Sequence, residues 1–390
     1  MSLLPRIAVV GAGPAGLLLG CRLHQAGIPF QLFEADAGPD TRGQGGMLDL
    51  HAATGQAALR SAGLFERFQQ LARYEDQGLR MFDAQGRLLL DDDGLEGDRP
   101  EIDRGHLRDL LLGALPADCV RWGHALREAV VDGKEVVLQF GNGVIERFDL
   151  AVGADGAWSR LRPLLTDVRP RHAGISLYEL SLRNVDVDHP QLAALVGRGT
   201  LVAKGGARTL FAQRNADARV RVYASLPQVL ADGAPAPRET RESLLAHFAD
   251  WHPDLRRLIA EADAAVRPWP IHMLPVGHRW DHRSAVTLIG DAAHVMPPAG
   301  EGANLALRDA ADLADALCTP DWRAAVQVHE QGMVARAAES AAAAQRMLVA
   351  GSVVQMLAEM RGDLETVARA SSGPVAAQIG CDLAQAPPVR

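Results

Sequence analysis

At 390 residues with 48% hydrophobic side chains, the chain is long enough for two or three domains built on substantial cores. A formal net charge of −8, a pI near 5.9 and no basic run of five or more argue against a nucleic-acid partner, and 5% aromatic residues leave few stacking platforms for bases; a small molecule is the expected partner. Cys21, Cys119, Cys318 and Cys381 include no C-x-x-C pair, which disfavours zinc and redox dithiols and fits a reducing cytoplasm.

The first segment, IAVVGAGPAGLLLGC at residues 7–21, carries no charge. Only Arg6 supplies a basic flank, and the Gly-Ala-Gly-Pro-Ala-Gly centre suits neither a signal core nor a membrane helix. The pattern predicts a strand from Ile7 to Val10, a glycine turn, a helix from Pro14 to Ala26 stopped by Gly27, and a strand from Phe30 to Glu34, the start of a βαβ unit. LRMFDAQGRLLLDDD predicts a hairpin around Asp83 to Gly86, and RGHLRDLLLGAL at 104–115 a helix. LREAVVDGKEVVLQFGNGVIERFDLAVGADG reads as three strands with turns at Asp132-Gly133 and Gly141 to Gly143. Residues from about 171 to 270 alternate as strands, with one helix near Glu242 to Glu261. SAVTLIGDAAH then returns to a strand, at 284–289, followed by a helix from Ala303 to Leu317 and an alanine-rich helical region from Trp322 to Met360. The last twenty residues read as a frayed tail. No run of 18 uninterrupted apolar residues occurs, so stable membrane insertion is not expected.

Gly11, Gly13 and Gly16 form G-x-G-x-x-G. With 38 glycines in the chain, such spacing arises by chance roughly 0.4 times, so the motif alone is weak. Its context strengthens it: an apolar strand ends at Gly11, a helix starts inside the motif, and Glu34 closes the next strand 18 residues after Gly16. This is the pattern of a dinucleotide bed, with Gly11 for the tight turn, Gly13 for close approach of a pyrophosphate, Gly16 for helix–strand packing and Glu34 for the adenosine ribose. The residues leave FAD and NAD open; Glu34 would repel the 2′-phosphate of a resident NADP.

Two later stretches distinguish them. AVGADGAWSRLR at 151–162 places Asp155-Gly156 after a strand, and IGDAAHVMPPAGEGANLALRDAADL at 289–313 places Gly290-Asp291 after another. With the first motif they resemble, in order and approximate spacing, the three signatures of the FAD-dependent aromatic hydroxylases, the class that includes para-hydroxybenzoate hydroxylase. RGQGGMLDLHAATGQAALRSAGL at 42–64 and PEIDRGHLRDLLL at 100–112 resemble segments of the tetracycline-inactivating flavin monooxygenases.

The resemblance implies an α/β (mixed α+β) fold: a Rossmann-like FAD-binding domain of the glutathione-reductase type from residues 1–70, 92–170 and 271–320, and a β-sheet substrate domain from 71–91 and 171–270. A C-terminal bridging helix over 321–370 and a tail over 371–390 complete it. FAD is the implied cofactor. Arg42 would guide NADPH, Gly45 and Gly46 would lie against the isoalloxazine ring, Asp49 would bind the flavin side, Arg104 would hold FAD and Asp291 would bond the ribityl chain, with Arg108 and Asp155 in support. A helix starting near Gly302 to Asn304 would direct its positive end at the pyrimidine half of reduced flavin.

A single G-x-G-x-x-G implies that the reductant, NADPH or NADH, visits without a Rossmann domain of its own. The implied chemistry is reduction of FAD, addition of O2 at flavin C4a, and transfer of one oxygen atom from the hydroperoxide to an electron-rich ring or enol. No acid–base residue is assigned, because the flavin carries the chemistry. The chain also departs from the pattern. PPAGEG is one residue shorter than the family loop and carries Glu301 where glutamine is common. An ungapped comparison anchored on Leu210-Phe211-Ala212 puts Glu179, Thr200 and Arg221 where the tetracycline group uses glutamine, arginine and histidine; Phe211 and Pro298 are further substrate candidates.

The implied substrate is polycyclic or phenolic, with tetracycline-type antibiotics one candidate. A monomer is expected. A flavin-dependent reductase or dehydrogenase without oxygen insertion and a non-enzymatic dinucleotide sensor are the alternatives. His278, Asp281 and His282 have metal-like spacing, but Arg279 and Arg283 flank them and no metal is expected.

Overall fold

The computed structural model describes residues 4–41, 45–231 and 234–360. Arg42, the last ten residues of the expected 321–370 bridging helix and the tail over 371–390 lie outside the described residues.

Two sheets organise the chain. The first is parallel and five-stranded, in the order Val286–Leu288, Leu150–Gly153, Ile7–Val10, Phe30–Phe33 and Val120–Arg121. Every residue of Ile7–Val10 and Leu150–Gly153 is buried, as strands covered on both faces require. Pro14–Gln25, with Pro14 in its first turn, buries Leu17, Leu18, Leu19 and Leu23 and packs against Arg104–Leu112 and Glu301–Leu317. Phe33 joins the core of a three-stranded antiparallel sheet by stacking on Phe140, with ring centroids 4.4 Å apart, and by meeting Phe148 edge-on.

The second sheet has seven strands in the order Arg267–Met273, Arg171–Leu182, Arg219–Pro227, Arg208–Asn215, Gly199–Gly205, Gly78–Asp83 and Leu88–Asp92. Side chains alternate between its faces. Tyr178, Leu180, Val222, Leu210 and Leu201 share one core with residues of the helices Pro190–Val196, Arg241–His247 and Pro253–Ala260. The register sets Glu179, Tyr223, Phe211 and Val202 in one row on the opposite face, and Ser181, Arg221, Gln213 and Thr200 in the next. That face is the more polar one.

Four expected elements differ. The third strand of the 126–153 segment divides at Asp149 into Ile145–Phe148 and Leu150–Gly153, where Arg6 N donates to Asp149 Oδ2 at 2.8 Å and the chain passes from one sheet to the other. The helix expected over 242–261 is two, because Pro253 starts a new helix. Val185–Asp188 and Pro190–Val196 were expected as strand. The alanine-rich helix Trp322–Val349 stops before Gly351; Ser352 then bridges to Gly205, and Val353 and Met356 pack with Met81 and Val202 of the sheet. Among the described residues no helix is long and apolar enough to cross a membrane.

Candidate functional site

At the first parallel strand, Gly11 has φ +109°, and a β-carbon there would overlap the Ala154 carbonyl oxygen; one on Gly16 would overlap the Gly11 carbonyl oxygen. These two glycines are consumed by packing. Gly13 is different: a β-carbon there has no neighbour within 4 Å, so its backbone borders open space at the N-terminus of Pro14–Gln25. Unpaired N–H groups and the positive end of the helix dipole face that space, which suits a pyrophosphate. Glu34 is buried beside it, accepting from Ala12 N at 2.7 Å and from Asp36 N at 3.0 Å. Arg108, also buried, donates to the Pro39 carbonyl and lies over the Trp122 ring; its guanidinium pins the segment after Glu34.

The two later motifs meet through a residue that sequence reasoning passed over. Arg162 donates from Nε to Ala292 O at 2.8 Å, from Nη1 to Ala157 O at 2.8 Å and from Nη2 to Asp291 O at 3.1 Å. Its only signal was an arginine buried among leucines in SRLRPLL. Asp155 Oδ2 accepts from Arg160 N at 2.7 Å, while Oδ1 is buried without a partner among the described residues; burial raises its pKa. Asp291 starts the short helix Asp291–His294 and is exposed. Behind it, Asp309 accepts from Gly290 N at 3.2 Å and lies 2.6 Å from His294 Nε2. Burial works against both charges, but the Asp309 carboxylate raises the His294 pKa and the imidazolium lowers that of Asp309.

The Gly45-Gly46 turn joins this unit to the polar face of the second sheet. Gly46 has φ +80°, and the position of its absent β-carbon lies 3.4 Å from the Tyr223 hydroxyl and 3.9 Å from Arg104 Nε. Arg104 N donates to Gly46 O at 3.2 Å. The corresponding position at Gly45 is 3.2 Å from Arg221 Nη1, and Arg221 pairs with Glu179, which also accepts from Trp269 Nε1 at 2.9 Å. Burial and the nearby Glu179 charge raise the Tyr223 pKa. Tyr223 was not anticipated; the strand alternation that exposed Arg221 on this face could have indicated it. Thr200 and Phe211 share the face, but Phe211 packs towards the Met81–Val353 cluster. Pro298 is exposed in the loop before Glu301.

On the other side of the turn, Asp49 Oδ2 lies 2.9 Å from His51 Nε2, and His51 Nδ1 lies 3.2 Å from Glu301 Oε1. Burial opposes the charged ring, yet hydrogen bonds to Asp49 and Glu301 push its pKa up to about 9. Gly302 borders open space. Asn304, at the start of the same helix, spends its side chain on contacts within the protein. It is wholly buried, its Oδ1 accepts from His51 N at 2.9 Å and Gly55 N at 3.2 Å, and its Nδ2 donates to Asp49 O at 2.8 Å and Gly300 O at 3.0 Å. The side chain staples the helix start to strand Met47–Asp49. In the 278–282 segment, His282 Nδ1 pairs with Glu330 at 2.8 Å. Among the described residues no group of three or more His, Cys, Asp or Glu could hold a metal.

Comparison with known proteins shows the family and the fold. Residues 6–346 match the family described as FAD binding domain. The monooxygenase asqM of Emericella nidulans is 33% identical over 80% of this chain and 83% of its own. Among solved structures, Klebsiella pneumoniae HpxO complexed with FAD and uric acid superposes with a TM-score of 0.76 at 23% identity, covering 93% of this chain and 92% of that one. The tetracycline destructase Tet(55) gives 0.71 at 22% identity, covering 93% and 94%. At these identities the two structures establish a shared fold.

Proposed function

The chain belongs to the FAD-dependent aromatic hydroxylase family and is an FAD-dependent monooxygenase, and on that premise we propose that it hydroxylates a polycyclic or phenolic small molecule with NADPH or NADH as reductant and O2 as oxidant. The reading rests above all on the meeting of Gly46, Arg104 and the Tyr223 hydroxyl, where a glycine turn of the nucleotide-binding unit touches a polar, aromatic-bearing sheet face.

The residues present fit FAD. Gly13 offers a cradle that a β-carbon would fill, and Asp155 Oδ1 is an orphaned acceptor beside the motif loops. In this reading Gly13 and the N-terminus of Pro14–Gln25 take the pyrophosphate, with Gly11 and Gly16 shaping the turn, and Glu34 takes the adenosine ribose. Asp291 takes the ribityl chain, while Asp155 orders the loop that Arg162 ties to it. Gly45, Gly46, Asp49 and Arg104 flank the ring, and the helix start at Glu301 and Gly302 presents N–H groups to its pyrimidine half. Arg42 guides the reductant. When bound, FAD supplies the redox and oxygen-activating chemistry.

The chain's own contribution is placement and exclusion of water. Residues 1–70, 92–170 and 271–320 form the FAD-binding unit, and 71–91 with 171–270 the substrate unit, whose Tyr223, Arg221 and Glu179 orient an oxygen-bearing ring. Thr200, Phe211 and Pro298 extend the same site, and the segment from 321 to 360 braces both units. Tetracycline-type antibiotics are the first substrates to test, supported by the LDL and paired-glycine resemblance. Purified protein given tetracycline and NADPH should oxidise NADPH faster than without the drug and yield a product one oxygen atom heavier. Absence of both sinks the drug reading and directs the assay to simpler phenols.

A further inference from the structure

One cluster beside the candidate FAD site has a geometry that the placement of the cofactor does not explain. His51 sits between carboxylates from two elements, Asp49 at the end of strand Met47–Asp49 and Glu301 at the start of helix Glu301–Leu317, at 2.9 and 3.2 Å. Its side chain is 13% exposed. A neutral imidazole carries one N–H and can donate to only one of these acceptors, setting the other ring nitrogen's lone pair against a carboxylate oxygen. Only the imidazolium satisfies both contacts. The chemistry of the arrangement therefore requires a proton, in agreement with a pKa pushed up to about 9.

The surrounding charges do not supply a substitute. Arg99 faces Glu301, and Glu101 faces Asp49 while itself facing Arg73, Asp76 and Asp103. Without the His51 proton, Asp49 and Glu301 would present two carboxylates to one neutral ring. Beneath them Asn304 joins the same two elements by neutral hydrogen bonds, so losing the ionic contacts loosens the junction without dissolving it. Glu301 is also the position at which this chain departs from the glutamine of the related loop. A glutamine there could bond to His51 but would add no charge to hold its proton.

We propose that protonated His51 is a positioning residue that locks the start of the Glu301–Leu317 helix onto Asp49, and that retention of FAD depends on this lock. The inference rests on the assignment of Asp49 and the helix start to the flavin end of the FAD site. A folded-state pKa above the ordinary histidine value means that the lock is closed near neutrality and opens as pH rises through about 9.

The test is the FAD dissociation constant, read from the fluorescence of released flavin between about pH 7 and pH 9.5, for the wild type, Glu301→Gln, His51→Gln and Asp49→Ala. The wild type should hold FAD with constant affinity near neutrality and lose up to about tenfold per pH unit above the His51 transition. In E301Q the loss should begin about one pH unit lower, and in H51Q the step should vanish. Coincident curves for wild type and E301Q, or an unchanged step in H51Q, overturn the lock; should H51Q not fold, the first comparison decides. If D49A holds FAD as tightly as the wild type at pH 7, the site assignment itself falls. If D49A loses FAD while the wild-type curve is flat, the lock alone falls.

Discussion

Arg162 donates to the backbone carbonyl of Asp291 at 3.1 Å across 129 residues of sequence, and this joins the two loops that follow the parallel strands Leu150–Gly153 and Val286–Leu288. A guanidinium suits the place because three carbonyls converge on it and a planar fork can reach them at once. Arg162→Met would leave those acceptors without their donor, at about 1–3 kcal/mol for each buried group. Urea unfolding of the FAD-free protein should therefore show a loss of about 3 kcal/mol or more, and Arg162→Lys should recover only part of it. A loss within about 0.5 kcal/mol, as for an ordinary surface site, would mean that the fork is dispensable.

The glycine turn separates packing from binding. Gly11→Ala and Gly16→Ala force a β-carbon into backbone oxygens and should lower both stability and FAD content. Gly13→Ala places its methyl in open space, so its unfolding free energy should stay within about 0.5 kcal/mol of the wild type while FAD affinity falls at least about tenfold, because the methyl occupies the approach to the phosphates. Equal FAD affinity in G13A and wild type would displace the pyrophosphate from this turn.

Glu179 and Arg221 face the Gly45-Gly46 turn as a shielded ion pair, with side-chain exposures of 9% and 16%. Glu179→Ala strands the guanidinium and should cost about 3–5 kcal/mol, whereas Glu179→Leu with Arg221→Met removes both charges and should cost far less. Thermal unfolding checks the contrast. The double variant should retain FAD by flavin fluorescence yet show a raised KM for the substrate. A KM unchanged within error would remove the pair from the substrate site.

His294 and Asp309 predict a pH signature in the FAD-free protein. The His294 pKa is raised in the folded state, so its contribution to stability is complete below the ordinary histidine value near 6.5 and is lost as pH rises through the folded-state value. The lowered Asp309 pKa acts in the opposite sense, contributing above its ordinary value near 3.8 and fading as pH falls through the folded-state value. In melting curves taken from pH 6 upward, about one unit at a time, His294→Gln should flatten the alkaline decline of the wild type. His51 also contributes to that decline, so a residual slope is expected in H294Q. Superimposable pH profiles for H294Q and wild type would contradict the coupling.

The βαβ start was legible because strand, glycine turn, helix and Glu34 obey short-range rules that leave marks in adjacent residues. The FAD family was legible because Asp155-Gly156 and Gly290-Asp291 are local motifs. What escaped is non-local. Arg162 acts on carbonyls that sequence cannot bring beside it, and Tyr223 matters because the register sets it opposite Glu179 and the fold brings it to Gly46. The Asn304 side chain bonds to a turn at His51 to Gly55 about 250 residues away in sequence, and the backbone forms a π-helix there. The division at Asp149 was hidden because neither glycine nor proline marks the point where the pairing partner changes.

The proposed activity is oxygen transfer to a ring-bearing substrate at the junction of Gly46, Arg104 and Tyr223. Its most direct test is the mass of the product formed from a panel of tetracyclines and phenols under heavy-isotope dioxygen, with FAD-loaded protein and NADPH or NADH. The product should carry one labelled oxygen atom, form only with reductant present and diminish in Tyr223→Phe or Arg104→Ala protein that still holds FAD. Turnover that oxidises a panel compound with no labelled oxygen in the product would contradict it.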